Sequence, residues 1–267
     1  MKLCLSSYAY LRYPIETAIE RTSKLGYEAI EIFANRPQML PEDYSPKEIS
    51  KIASVIKSNN VKVAAITSAN GTPQWHFTHP NKRVRSDAVK HVKRCVDLAS
   101  DLKAPIVEVV TGSPFIEGTS QKEAWEWLKD GLGDCAEYAR RHRKIIGLEP
   151  EPGNVISTSD LADKMVKELH ANNVRLLLDI GHLHVVKENI PETVMKMKDK
   201  LVHVHIHDND STEDQHLVLG EGNIDFKPII EALRKASYSG YLSSEVKQGE
   251  GDSSATKSLD YLRMLMN

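Results

Sequence analysis

Cysteine is scarce: Cys4, Cys95 and Cys135 are the three in 267 residues, far apart and without a CxxC pair. That excludes a disulfide framework and a cysteine-rich zinc cluster, and reduced, buried thiols are the expectation. Long apolar runs are missing too. No stretch approaches the roughly 20 apolar residues needed to span a bilayer, and MKLCLSSYAYLRYPIE lacks the uninterrupted apolar core of a signal peptide. A cytoplasmic protein with no membrane partner is expected. Nor is there an excess of one charge: 35 basic residues stand against 37 acidic ones, for a net charge of −2. Such a chain has little pull on a phosphate backbone, so no nucleic-acid partner is expected. Finally, no segment rich in Pro, Gly or Ser divides the chain, so residues 1–267 read as a single domain. Apolar residues at 40% supply a sizeable core for it.

What is present is an alternation. Short β-branched runs at Lys2–Ser6, Ala29–Phe33, Val61–Thr67, Pro105–Thr111, Lys144–Glu149, Val174–Asp179, Leu201–His207 and Tyr241–Val246 are separated by longer amphipathic stretches. That order signals parallel strands joined by crossover helices, an α/β fold. Helix signals agree. The first helix runs from Pro14 to a stop at Gly26, and Ala88, Val92, Cys95, Ala99 and Leu102 step by four and three along the third. Ser120 with Glu123 forms a capping box, Thr158 or Ser159 can cap the next helix, and Asp225 can cap the one starting at Phe226. Eight units in a chain of this length fit a single closed (β/α)8 TIM barrel. An open doubly wound sheet is the alternative, but Ser6-Ser7-Tyr8-Ala9-Tyr10 is not the glycine-rich loop that usually follows its first strand.

In such a barrel the active site lies at the carboxyl ends of the strands. Four consecutive strands carry a polar residue there: Glu149 after Ile145-Ile146-Gly147-Leu148, Asp179 after Leu176-Leu177-Leu178, a histidine on the seventh strand, and Glu245 on the eighth. Singly, a strand-end carboxylate is more often a helix cap, and a buried histidine more often part of the core. Together they converge. Adjacent strands stand about 4.8 Å apart, so three carboxylates and an imidazole would share a volume that requires a cation. Oxygen-rich ligation with one imidazole suits Mn²⁺, Co²⁺ or Mg²⁺ better than a structural zinc, with Zn²⁺ as the alternative for a catalytic site. Which histidine takes part is open, because His203, His205 and His207 alternate with apolar residues and share one face. The polar segment from Asp208 to Gly222 is expected to cover the barrel mouth. Its Gly220-Glu221-Gly222 reads as a turn rather than a phosphate cradle, since no P-loop pattern surrounds it.

At LEPEPG around Glu149, LLLDIGH with Asp179 and His182, HVHIHDND with His205, DQHLVLGEGNIDF and GYLSSE ending at Glu245, the sequence resembles the xylose-isomerase-like TIM-barrel superfamily of sugar and sugar-phosphate isomerases and epimerases. The early segment YPIETAIERTSKLGYEAIEIFANRP looks especially like the fructoselysine 3-epimerase branch and related ketose 3-epimerases. The likeness spans nearly the whole chain. It implies Glu149, Asp179, His205 and Glu245 as metal ligands, with the second histidine of HVHIH as the one that matches. It further implies Glu149 and Glu245 as the pair that exchanges protons with a ketose beside its carbonyl through an enediolate. His182 would contact the substrate, a sugar or sugar-phosphate, and His216 and Glu31 are further candidates for that task. Homo-oligomers, dimers or tetramers, are what the likeness suggests for assembly.

Three rival readings share parts of this pattern. Metal-dependent dehydratases of inososes or dehydroshikimate, and hydroxypyruvate isomerase, use the same tetrad and begin with the same proton abstraction. Apurinic/apyrimidinic endonucleases hold extra metals at positions matching Asp179, His182, Asp214 and His216. However, Ala64-Ala65-Ile66-Thr67 and Val109-Val110-Thr111-Gly112 lack the histidines that complete that cluster. Trp75, His76, His79 and the Asn70-Gly71 turn, in the loop after the third strand, are candidates to close over a sugar, though a loop aromatic is as often simple packing.

Overall fold

A computed structural model describes residues 1–70, 75–111, 118–247 and 251–266. Eight parallel strands close into a barrel in chain order: β1 (Lys2–Ser6), β2 (Ala29–Phe33), β3 (Lys62–Thr67), β4 (Ile106–Val110), β5 (Ile145–Glu149), β6 (Val174–Asp179), β7 (Leu201–Ile206) and β8 (Tyr241–Ser244). Closure comes from β8 pairing in parallel with β1, Leu3 opposite Leu242 and Cys4 opposite Ser243. The helices are α1 (Ile15–Leu25), α2 (Pro46–Ser58), α3 (Lys82–Asp101), α4 (Gln121–Arg141), α5 (Ser159–Leu169), α6 (Ile180–Val185), α7 (Ile190–Met197), α8 (Phe226–Lys235) and α9 (Asp252–Met266). The expected (β/α)8 barrel is therefore present. Among the described residues no helix is long and apolar enough to cross a membrane.

Local chemistry sets the helix boundaries much as the sequence predicts. Gly26 ends α1 with φ of 90°, a left-handed turn in which a residue without Cβ is unstrained. Ser120 and Glu123 form the reciprocal capping box on α4, Thr158 rather than Ser159 caps α5, and Asp225 caps α8. On α3 the predicted stripe of Ala88, Val92, Cys95 and Ala99 is buried. The three cysteines are buried free thiols. One departure from a simple eight-unit count lies between β6 and β7, where α6 precedes α7. Strand ends shift by one or two residues: β8 stops at Ser244, yet the Glu245 amide still donates to the Ile206 carbonyl at 3.2 Å, so the barrel's pairing reaches the residue that matters.

The segment after β7 folds around one buried carboxylate. Asp208 Oδ1 accepts from the amides of Asn209 (2.9 Å) and Ile224 (3.2 Å), and Oδ2 from the amide of Gly220 (2.9 Å). Asp208 also pairs backbone to backbone with Leu217. The glycine turn does cradle an anion, but the anion is the chain's own: a Cβ at Gly222 would collide with Asp208. This closure carries Asp214 and His216 back toward the barrel, where the Lys247 amide donates to the His216 carbonyl at 2.8 Å.

Replacing Asp208 with Asn puts an NH2 group against amides that need an acceptor, at a local cost of roughly 1–3 kcal/mol. Amide hydrogen exchange at Gly220 or Ile224 is expected to quicken while β5 stays protected. Exchange unchanged at both would mean that the turn does not depend on the carboxylate.

Candidate metal centre

Because strands of a barrel lie side by side, residues at the carboxyl ends of β5, β6 and β7 and just after β8 face a common volume, and His205 stands at its middle. Its Nδ1 is 3.2 Å from Glu149 Oε1, 3.2 Å from Glu245 Oε2 and 3.8 Å from Asp179 Oδ2. The four are each less than a tenth exposed. Ligating atoms of Asp179, His205 and Glu245 lie within 4.8 Å of one another, as do those of Glu149, Asp179 and His182. Asp179 Oδ2 is buried without a hydrogen-bond partner, although Oδ1 of the same carboxylate accepts from the His182 amide at 2.9 Å. A buried anionic oxygen with no donor facing it, beside two further carboxylates and one imidazole nitrogen, is a donor set that fits a divalent cation.

Beneath this basket lies a second layer. Glu31, on β2, is fully buried; Oε1 is 3.0 Å from His205 Nε2 and Oε2 is 3.1 Å from His203 Nε2. Thr67 donates its hydroxyl to Glu31 Oε1 at 2.9 Å. Glu31 thus sits behind His205, with its two oxygens already engaged by protein groups. Glu108, on β4, is also buried: its Oε2 lies 3.7 Å from His205 Nε2 and has no hydrogen-bond partner.

A ring of histidines and acids continues upward from Asp179. His182 places Nε2 at 3.3 Å from Asp214 Oδ2 and Nδ1 at 3.6 Å from Glu149 Oε1. His216 Nε2 is 2.8 Å from Asp214 Oδ2, while its Nδ1 donates to the Glu245 carbonyl at 2.8 Å. His207 Nε2 is 3.0 Å from Asp179 Oδ1, and its ring stacks on His216 with centroids 4.0 Å apart. His182, His207, Asp214 and His216 form a compact group of their own.

Charge explains the arrangement. Burial disfavours a charged His205, but Glu31, Glu245 and Glu149 hold its protonation well above the ordinary imidazole range. Burial likewise opposes ionisation of Glu31, and the His205 and His203 rings overcome it, keeping this carboxyl well below the usual range. Glu108 goes the other way. Burial, with the repulsion of Glu149 added, pushes it well above a normal carboxylate. Glu151 is pushed up to about 7 by burial, with His182 opposing and Glu149 assisting. His216 rises to about 9 despite burial, through its bond to Asp214 and the charge of Glu245.

The structure brings together Glu149, Asp179, His205 and Glu245, and sets His182 and His216 beside them. Glu31 is placed elsewhere than a substrate contact would be, under the basket rather than at its mouth. Parity could not separate the three histidines of β7 and its end; their partners do, since His203 and His205 meet Glu31, whereas His207 meets Asp179. Sequence reading passed over Glu108, whose signal was a lone charge inside the apolar run Ile106-Val107-Glu108-Val109-Val110. It also passed over Glu151. Of the loop after β3, Trp75 lies flat on His91 at 3.8 Å between ring centroids, which is packing. His79 accepts from the Asn81 amide at the entrance of α3, and His76 is buried. Gly71 and Gly112 lie outside the described residues.

Comparison with known proteins agrees with the fold. It is 25% identical over 250 residues to fructoselysine 3-epimerase from Shigella flexneri, covering 92% of this chain and 90% of that protein. With inosose dehydratase from Lacticaseibacillus casei it shares 25% identity over 284 residues, covering 94% and 90%. A solved structure described as a D-tagatose 3-epimerase-like protein superposes with a TM-score of 0.87 at 26% identity, over 100% of this chain and 97% of that one. Residues 19–265 match the family described as Xylose isomerase-like TIM barrel, and with a closed eight-stranded barrel carrying this basket at its mouth, the chain belongs to that family.

Proposed function

We propose that this protein is a divalent-metal-dependent sugar or sugar-phosphate epimerase of the ketose 3-epimerase type, acting by proton abstraction beside a carbonyl. The observation that carries the reading is the set of three buried carboxylates, Glu149, Asp179 and Glu245, turned on one imidazole nitrogen of His205. These four residues would hold the ion, Mn²⁺, Co²⁺ or Mg²⁺ on the chemistry of the donors, with Zn²⁺ as the alternative. A cation there would stabilise the negative charge that grows on the substrate's oxygens as the neighbouring proton leaves.

The protein's own groups divide the remaining work. Glu149 and Glu245 come from β5 and from the end of β8, with the β6 and β7 donors between them in the barrel's order. One takes the proton from the carbon next to the carbonyl; the other returns a proton from the opposite side, which inverts the centre. His182 and His216, both tied to Asp214, stand next to these glutamates and would orient substrate hydroxyls. A second reading, a metal-dependent dehydratase, is favoured by the inosose dehydratase relative. It shares the first proton step and differs in expelling a β-hydroxyl.

Two measurements test the proposal. Glu149→Gln or Glu245→Gln is expected to lower turnover of a ketose by roughly 10²- to 10⁴-fold with the far-ultraviolet dichroism of the barrel retained. Wild-type rates in either variant would remove the two-base scheme. During epimerisation in deuterated water, the label is expected at the inverted carbon only. Formation of a dehydrated product would select the dehydratase reading, and inversion by hydride transfer, with no solvent label, would end the proton-abstraction reading altogether.

A further inference from the structure

Glu31 and His203, buried beneath the basket, have no part in the scheme above, and their geometry is specific. An imidazole that binds a cation through one nitrogen must carry its proton on the other, and a hydrogen-bond acceptor behind the ring fixes both which nitrogen is bare and how the ring is turned. His205 directs Nδ1 at Glu149, Asp179 and Glu245, and Nε2 at Glu31 Oε1, 3.0 Å away. Glu31 in turn is held from two further sides. Thr67 donates to the same Oε1 at 2.9 Å, and His203 Nε2 is 3.1 Å from Oε2. We infer that Glu31 is the positioning residue of the metal centre: it accepts the Nε2 proton of His205, fixes the ring with Nδ1 bare toward the cation, and raises the ring's strength as a donor.

This rests on the metal-centre reading of the four strand-end residues, and it replaces a substrate-contact role for Glu31. Three features of the surroundings support it. Glu31 is fully buried, so a carboxylate at this position is tolerated only where its partners repay the loss of water. Both of its oxygens are engaged by donors from β3 and β7, which leaves no rotation by which it could turn toward the mouth. A glutamine there would keep the shape but offer one acceptor oxygen where donors point at two, and no charge. His203 then acts as a second brace, on the far oxygen, and the spacing His203-Val204-His205 gains a reason: alternate residues of one strand face the same buried acid.

Ion affinity and the ring's tautomer test the inference without reference to turnover. Competition with a chromogenic chelator gives the Zn²⁺ dissociation constant of the wild type and of Glu31→Gln; the variant is expected to bind roughly 10- to 100-fold more weakly. In zinc-loaded wild type containing ¹⁵N-histidine, the His205 signals are expected to show a protonated Nε2 and a bare Nδ1. This second measurement needs no variant, so it stands even if Glu31→Gln does not fold. Equal dissociation constants for the two proteins, or a His205 ring with its proton on Nδ1, would overturn the role of Glu31 while leaving the metal centre intact. A wild type that binds no divalent ion would overturn the metal centre itself, and the positioning role with it.

Discussion

Everything at the mouth of this barrel depends on how like charges are kept together inside protein. Five carboxylates, Glu31, Glu108, Glu149, Asp179 and Glu245, lie within 4 Å of one imidazole, His205. Two unit charges 4 Å apart interact by about 4 kcal/mol at an effective dielectric constant of 20, so several such repulsions together would rival the stability of a whole domain. The chain reduces the load in two ways. Burial, with the repulsion of Glu149, pushes Glu108 toward its neutral form, and each remaining acid is set against a histidine. What those pairings leave unbalanced is an excess of negative charge focused on a single side of one ring, which is the electrostatic definition of a cation site.

The same alternation extends through the surrounding shell. Asp214 touches His182, His207 and His216; Asp179 touches His205 and His207; Glu149 touches His182 and His205. No acid among these stands without a ring, and the rings come from three separate stretches: the start of α6, β7 and its end, and the segment closed by Asp208. The position of His216 therefore depends on a carboxylate eight residues earlier that is fully buried within its own turn. The glycines around position 221 serve that closure, Gly220 by donating its amide to Asp208 and Gly222 by leaving room for that carboxylate.

The fold was readable in the sequence because its signals are local. Short β-branched and apolar runs, Gly26 past α1, and the Ser120 box each act over a few residues, and the barrel follows from their repetition. The strand-end residues Glu149 and Asp179 were readable for a related reason, since each breaks an apolar run at its carboxyl end, while Glu245 was readable as the acid that follows Ser243-Ser244 at the end of the eighth run. Glu31 and Glu108 sit in the middle of their strands, where a single charge in a short run looks like an outward-facing residue until the barrel shows that the face is inward. The choice among His203, His205 and His207 could not be made from parity because their differences lie in partners drawn from β2 and β6, far away in the chain. Trp75 shows the converse: a loop aromatic suggestive of a lid is committed to stacking on His91.

Asp179 illustrates how the end of one strand and the start of one helix can serve a ligand in advance. Its Oδ1 accepts from the first turn of α6 and lies 3.0 Å from His207 Nε2, and the His207 ring lies so close to Gly181 that no side chain fits there. Only Oδ2 is free to act, and it has no alternative orientation to give up. The entropy of fixing this donor would thus be spent when the chain folds rather than when an ion arrives, and it is the six-residue helix α6 behind Asp179 that would supply that preorganisation.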